Sequence, residues 1–415
     1  MKTYKYSCIF IIAIIAIITS CEKNTSHMYK NVIPLESSVG TYRILNLSDY
    51  VTDIRYIPLE TNDSVLISGI SHIIYENDNI IIETDWKQNE CLVFNDNGNF
   101  CNKIGKHGQG PNEHTVIIQT FILDDLIFLR TDITWLIAFE ENGAFVKKIA
   151  RPDNFDEVFI RDIQPLNFNT FFMLTASFQS YYPKTVLFEA DGVTTKVIKE
   201  FTEPNKLEKS GLTTSSLEFG MAYRFKDDIR FYRYTNSDTI FTIGQDKEIK
   251  DAFILELGKY RPTQEFVEQR ENWSHKMPIL VENIQESSDF LFIKFNFHEY
   301  APEPFQYWRY QGSSTRKVLA TNGTVLSVFD KNTGELKLMK QPIKEKLGFK
   351  NDIDGGPVIY PHYISTKNEL VTYISPEDFL DYYEQIENPT PELNIIAKNI
   401  KQDDNPIVII AKLKK

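Results

Sequence analysis

A repeat runs through this 415-residue chain. Phe94-Asn95-Asp96-Asn97-Gly98-Asn99-Phe100 and Phe139-Glu140-Glu141-Asn142-Gly143-Ala144-Phe145 align without a gap at a spacing of 45, and each leads into Lys-Ile, at Lys103-Ile104 and Lys148-Ile149. Phe188-Glu189-Ala190-Asp191-Gly192 is a third copy and Phe329-Asp330-Lys331-Asn332-Thr333-Gly334 a fourth. Each reads as an aromatic strand end, a polar turn whose glycine supplies positive φ, and a return strand. A second hairpin goes before each. Its turns fall at Asn77-Asp78-Asn79, Asp124-Asp125, Asn167-Phe168-Asn169, Lys226-Asp227-Asp228, Ser287-Ser288-Asp289 and Thr366-Lys367-Asn368.

Two hairpins per repeat make a four-stranded antiparallel sheet, and six inner hairpins predict six sheets. Runs such as Ile80-Ile81-Ile82 and Leu126-Ile127-Phe128 are apolar on both strand faces, as a sheet covered on both sides requires. The expected fold is therefore all-β: a six-bladed β-propeller of four-stranded antiparallel blades over residues 41–415. The sixth unit has an inner hairpin near residues 358–374 but no outer one. Pro406 to Leu413 supplies one further strand, and Asp53 to Leu59 is expected to complete that blade and lock the ring, since an open edge invites aggregation. Short helical insertions are predicted after Ser375-Pro376-Glu377-Asp378 and Thr390-Pro391-Glu392, with a third at 262–275.

Residues 1–20 stand outside the fold. Lys2 and Lys5 precede an unbroken apolar run, Ile9 to Ile18, too short to span a membrane and typical of a signal peptide. Ile18-Thr19-Ser20-Cys21 resembles a bacterial lipobox, which implies cleavage before Cys21, acylation of its thiol and amine, and a partner in the membrane through that anchor. Residues 21–40 read as a lipidated flexible tether. The expected location is the cell envelope, at the outer membrane on its surface or periplasmic face. The formal net charge of −12 argues against nucleic acid as a partner. Of the remaining cysteines, Cys91 and Cys101 flank the first repeat turn. A two-residue turn at Asn97-Gly98 would set Phe94 opposite Cys101 and Cys91 opposite Ile104, on opposite faces, so both read as small buried apolar residues rather than a disulfide.

Tyr56-Ile57-Pro58-Leu59-Glu60-Thr61, the Phe94-to-Ile104 hairpin, Lys106-His107-Gly108-Gln109-Gly110-Pro111 and Asn351-Asp352-Ile353-Asp354-Gly355-Gly356-Pro357, taken with the lipobox, resemble the uncharacterised six-bladed β-propeller lipoproteins, a family distantly similar to NHL-type propellers. That family's Gly-Gln-Gly-Pro is usually followed by glycine and an acid; here Asn112 stands for the glycine and Glu113 keeps the acid. The resemblance implies fold and location and carries over no catalytic residue.

Three segments are candidates for chemistry. The glycine-rich loop with His107 and Gln109 offers backbone N–H groups to a ligand, although it lacks the helix and Lys-Ser/Thr ending of a phosphate loop and reads first as an inter-blade crossover. Asp352 and Asp354 alternate beside two glycines, an arrangement whose oxygens suit calcium; the calcium-loop pattern is incomplete, and a hydrogen-bonded turn is the simpler reading, so no cofactor is assigned. Tyr307, Trp308 and Arg309 sit in the densest aromatic stretch, suited to sugar rings or to plain blade packing. The scattered histidines, among them His72, His298 and His362, form no metal or hydrolase motif. The leading functional expectation is a non-catalytic ligand-binding or assembly module serving glycan or peptide uptake. The alternatives are an envelope enzyme of lyase, hydrolase or lactonase type at the mouth of the channel, and a structural lipoprotein docked to an outer-membrane protein complex.

Overall fold

The computed structural model describes residues 31–414 apart from 111, 132–134, 151, 153–158, 177–184, 191–193, 202–219, 234–237, 262–276 and 311–315. Six antiparallel sheets succeed one another around an axis. Blade 1 runs Ile70–Glu76, Asn79–Thr84, Cys91–Asn95, Phe100–Ile104; blade 2 runs Gln119–Leu123, Leu126–Arg130, Trp135–Glu140, Phe145–Ala150. Blade 3 comprises Phe159–Asn167, Thr170–Ala176, Thr185–Ala190 and Thr195–Phe201, and blade 4 Gly220–Phe225, Asp228–Arg233, Thr239–Ile243 and Ile249–Leu255. In blade 5 the strands are Leu280–Glu286, Phe290–Asn296, Thr324–Asp330 and Leu336–Leu338. Blade 6 closes the circle in the order Tyr363–Ile364, Glu369–Ile374, Ile407–Leu413, Val51–Pro58.

The expected closure is present. Ile54 pairs with Ala411, Arg55 with Ile410 and Tyr56 with Ile409, so the strand Val51–Pro58, which precedes blade 1 in sequence, is the outer edge of the last blade. Asn405 clasps the junction from a buried position. Its amide donates to the carbonyls of Glu60 (2.6 Å) and Val65 (3.0 Å), its Oδ1 accepts from the Ile67 N–H (2.8 Å), and its N–H donates to Thr61 Oγ1 (2.8 Å).

The described residues form one apolar cluster at each of the six blade interfaces. Strand pleating explains how so short a run serves two of them: Ile80 and Ile82 pack toward blade 6, Ile81 toward blade 2. No blade has a core of its own, and stability comes from stacking.

The repeat turn differs from the two-residue form expected. Asn95 N–H donates to the Asn99 carbonyl (2.9 Å), Asp96-Asn97-Gly98 forms the loop, and Gly98 alone of the three has positive φ, +81°. A bulge follows at the aromatic residue, so Phe94 pairs with Phe100 and Cys101 is the extra residue, turned out to solvent. Cys91 does pair with Ile104 and is buried, but Cys101 is not the buried apolar residue expected. Bulges occupy the same place at Phe139, Phe188 and Phe241.

The stretch expected as a tether is structured from Val32 on: Val32 and Ile33 pair in parallel with Ile254 and Leu255 outside blade 4, and Ile33 and Leu35 are fully buried there. The predicted helices form at Pro376–Tyr383 and Pro391–Asn399, capped by Ser375 and Thr390 side chains accepting from Asp378 and Leu393 N–H. Both lie between the second and third strands of blade 6. The helix expected at 262–275, the lipobox and Cys21 lie outside the described residues.

Candidate functional site: the central channel

The first strand of each blade lines a central channel of about 940 Å³. All six run the same way, so one mouth carries the tight turns of the inner hairpins and the other the blade-to-blade crossovers.

At the turn mouth two buried carboxylates serve as struts between blades. Glu76 of blade 1 accepts from the Tyr363 hydroxyl (2.8 Å), the Thr366 N–H (2.8 Å) and the Thr366 hydroxyl of blade 6. Glu286 of blade 5 accepts from Lys331 Nζ (2.7 Å), from the Tyr223 hydroxyl (3.0 Å) and from Arg230 Nε (3.3 Å) of blade 4. Burial pushes Lys331 below the usual lysine range despite the neighbouring carboxylate, and lifts the Tyr223 and Tyr363 hydroxyls well above theirs.

The crossover mouth is built differently. Asp162 accepts from Gln119 Nε2 (2.8 Å), Gln164 Nε2 (3.2 Å) and Ala222 N–H (2.9 Å), tying blades 2, 3 and 4; burial raises its carboxyl, with those donors opposing. His362 Nδ1 lies 2.7 Å from Thr372 Oγ1, its ring tilted on Tyr373 at 4.9 Å; burial and Lys294 hold it below the ordinary histidine range. A bulge at Ser71 swings His72 into register with Glu83, and burial pushes His72 down to about 4. Glu83 shares the strand face of Ile81, toward blade 2, where Thr120 lies beside it. Burial raises the Glu83 carboxyl, with Thr120 opposing. Glu83 Oε2 and Thr120 Oγ1 are buried without a hydrogen-bond partner. Trp86, in the loop after Glu83, stands at this mouth and is 73% exposed.

None of His107, Gln109, Asp352, Asp354, Tyr307, Trp308 and Arg309 lines the channel, whereas His72 and His362 do. His107 and Gln109 are exposed in the crossover from blade 1 to blade 2, where the Gly110 N–H donates to the chain's own Glu113 carboxylate (2.8 Å). A Cβ at Gly108 would collide with that carboxylate, so the glycine-rich loop closes on an internal anion. Asp352 accepts from the N–H (2.9 Å) and hydroxyl (2.6 Å) of Ser48, and Asp354 from the Gly356 N–H (2.8 Å) and Tyr56 hydroxyl (3.2 Å). Asp352 thus ties its segment to Ser48 and Asp354 pins its own turn to Tyr56, and among the described residues no three His, Cys, Asp or Glu side chains form a metal cluster. Phe305–Tyr310 pairs with Lys317–Asn322 as a separate ribbon inserted in blade 5, so it is not blade packing. Trp308 and its partner Leu319 are 67% and 54% exposed. Arg309 and Tyr307 are exposed on the same ribbon.

The channel residues carry one signal in the sequence. Ile80-Ile81-Ile82-Glu83 is a strand apolar on both faces that ends in an acid, and a carboxylate continuing a buried face has no solvent to meet.

A family model described as a domain of unknown function, DUF4934, matches residues 30–412. The chain belongs to the DUF4934 family. This member is similar to a crystal structure of a candidate exported protein from Bacteroides fragilis NCTC 9343, with 18% identity and a TM-score of 0.65 over 92% of this chain and 100% of that one. It is also similar to a structure of a protein of unknown function from Bacteroides thetaiotaomicron VPI-5482, with 9% identity and a TM-score of 0.40 over 86% of this chain and 75% of that one. No curated protein matches. For this DUF4934 member the likeness to the Bacteroides fragilis protein speaks to fold alone.

Proposed function

We propose that this propeller is an extracytoplasmic ligand-binding module, held to the envelope through acylated Cys21, whose ligand enters the crossover mouth of the channel. The observation that carries this reading is a channel of about 940 Å³, the size of a small-molecule site, with buried unpaired polar atoms on its wall and an exposed tryptophan at its entrance. An unpaired buried polar group costs about 1–3 kcal/mol, which a ligand's hydrogen bond recovers. The apolar run ahead of Cys21, and the description of the Bacteroides fragilis relative as a candidate exported protein, support the location. The outer membrane, glycan or peptide uptake and docking to a membrane complex are the finer parts of the same reading.

The enzyme reading has one observation in its favour, the His72–Glu83 pair at the mouth. Against it, Asp162, Glu76 and Glu286 are each committed to hydrogen bonds between blades. A thermal-shift screen of glycans and short peptides on the chain from Glu22, read in parallel by tryptophan fluorescence, tests the proposal. A ligand that raises the melting temperature and whose fluorescence response disappears in Trp86→Ala supports channel binding. Turnover of such a ligand would favour the enzyme, and silence across the screen would overturn both.

A further inference from the structure

The charges along the channel wall differ in how they are met. Glu286 has Arg230 and Lys331, Glu282 has Lys294 at 3.2 Å, Glu76 takes two hydroxyls and an N–H from blade 6, and Asp162 takes three N–H donors. Glu83 is 92% buried, being 8% exposed, and its Oε2 meets no cation among the described residues. Thr120, 1% exposed, lies beside it on the neighbouring blade, and both residues line the channel. Leaving a buried carboxylate without a cation is costly to the fold, because a buried charge without a counter-charge is among the least stable arrangements a protein holds.

We propose that Glu83 and Thr120 form a subsite for the primary ammonium group of a channel ligand, with Trp86 covering the carbon chain or ring that bears it. The inference rests on the binding reading above and names the chemistry of that same site. An ammonium carries three donors and no acceptor, so it satisfies Glu83 Oε2 and Thr120 Oγ1 together while supplying the missing positive charge. A neutral hydroxyl could donate to one of the two and would leave the charge unmet. An anion is excluded by the same carboxylate. The indole face of Trp86 suits either the apolar stem or the cation itself. Amino sugars and lysine-bearing or N-terminal peptide amines share this group.

The test is calorimetric titration of the intact mature chain with cadaverine and with pentanediol, a pair of equal length that differs in charge. Cadaverine is expected to bind at least about tenfold more tightly, the worth of a charged hydrogen bond. Glu83→Gln, which keeps shape and folding, should erase the difference. Equal affinity for amine and diol, or a folded Glu83→Gln protein that still prefers the amine, overturns the inference. Should Glu83→Gln fail to fold, Thr120→Val decides: weakened amine binding supports the subsite and unchanged binding refutes it. Further arms with glucosamine and lysinamide assign the source of the amine, the tighter of the two naming it. A neutral glycan that binds the channel without any amine preference would sink this inference and leave the binding module standing; no response to any probe would sink both.

Discussion

Asn405 and Gly98 show how single residues fasten the ring. Asn405 joins three main-chain groups of residues 60–67 through its side chain, and each bond lost would strand a buried partner. Asn405→Ala is therefore expected to lower stability by about 2–4 kcal/mol in chemical denaturation, with no change in fold. Gly98 combines φ of +81° with a position where a Cβ would strike the Pro58 carbonyl of the closing strand, so Gly98→Ala should cost at least about 1–3 kcal/mol. The glycine was legible in the sequence as a turn residue. Its second duty, letting the closing strand Val51–Pro58 pass close, was not, because that contact spans 40 residues and depends on ring closure.

His72 makes a pH prediction at the same scale. Its ring is held neutral in the folded protein, at about 4 against an ordinary 6.5, so the unfolded chain binds the extra proton between those values. Its contribution is fully present above 6.5 and is lost as pH falls toward 4. Glu83 works in the opposite sense: its raised carboxyl favours the fold at low pH and weakens it as pH rises through the unfolded glutamate value. Urea midpoints measured across that range should fall less steeply with acid in His72→Gln than in the parent protein. An unchanged slope would mean that His72 is not buried as described.

Among the elements, the blades and the aromatic ribbon separate by what the local pattern can and cannot specify. Turn chemistry and double-faced apolar runs marked every inner hairpin, and the proline and serine or threonine starts marked both C-terminal helices. The bulges were not legible, since a bulge adds one residue without changing composition and shifts which side chains share a face. That is why Cys101 was misplaced and why the pairing of His72 with Glu83 went unseen. The Phe305–Tyr310 ribbon was not legible for a related reason: aromatic density suits sugar rings and blade packing alike, and neither reading tells that the segment pairs with Lys317–Asn322 away from the blade's own strands. Trp308→Ala should accordingly change stability by less than about 0.5 kcal/mol. A larger loss by thermal melting would mean that the ribbon is packed after all.

At the scale of the whole molecule, six sheets share six interfaces, and the one that differs in kind is made by chain ends. Five blades are continuous in sequence; the sixth joins Val51–Pro58 to Ile407–Leu413 and so converts an open stack into a ring. The channel, its two mouths and the proposed ligand subsite all depend on that circle, because blade 6 supplies His362, Tyr363 and Thr366 to the wall facing blade 1. Hydrogen exchange resolved by mass spectrometry probes this closure directly. Amides of Val51–Pro58 and Ile407–Leu413 should exchange together, as slowly as the central strands of blades 1 and 5. Rapid exchange at Val51–Pro58 beside a protected remainder would contradict the closed ring.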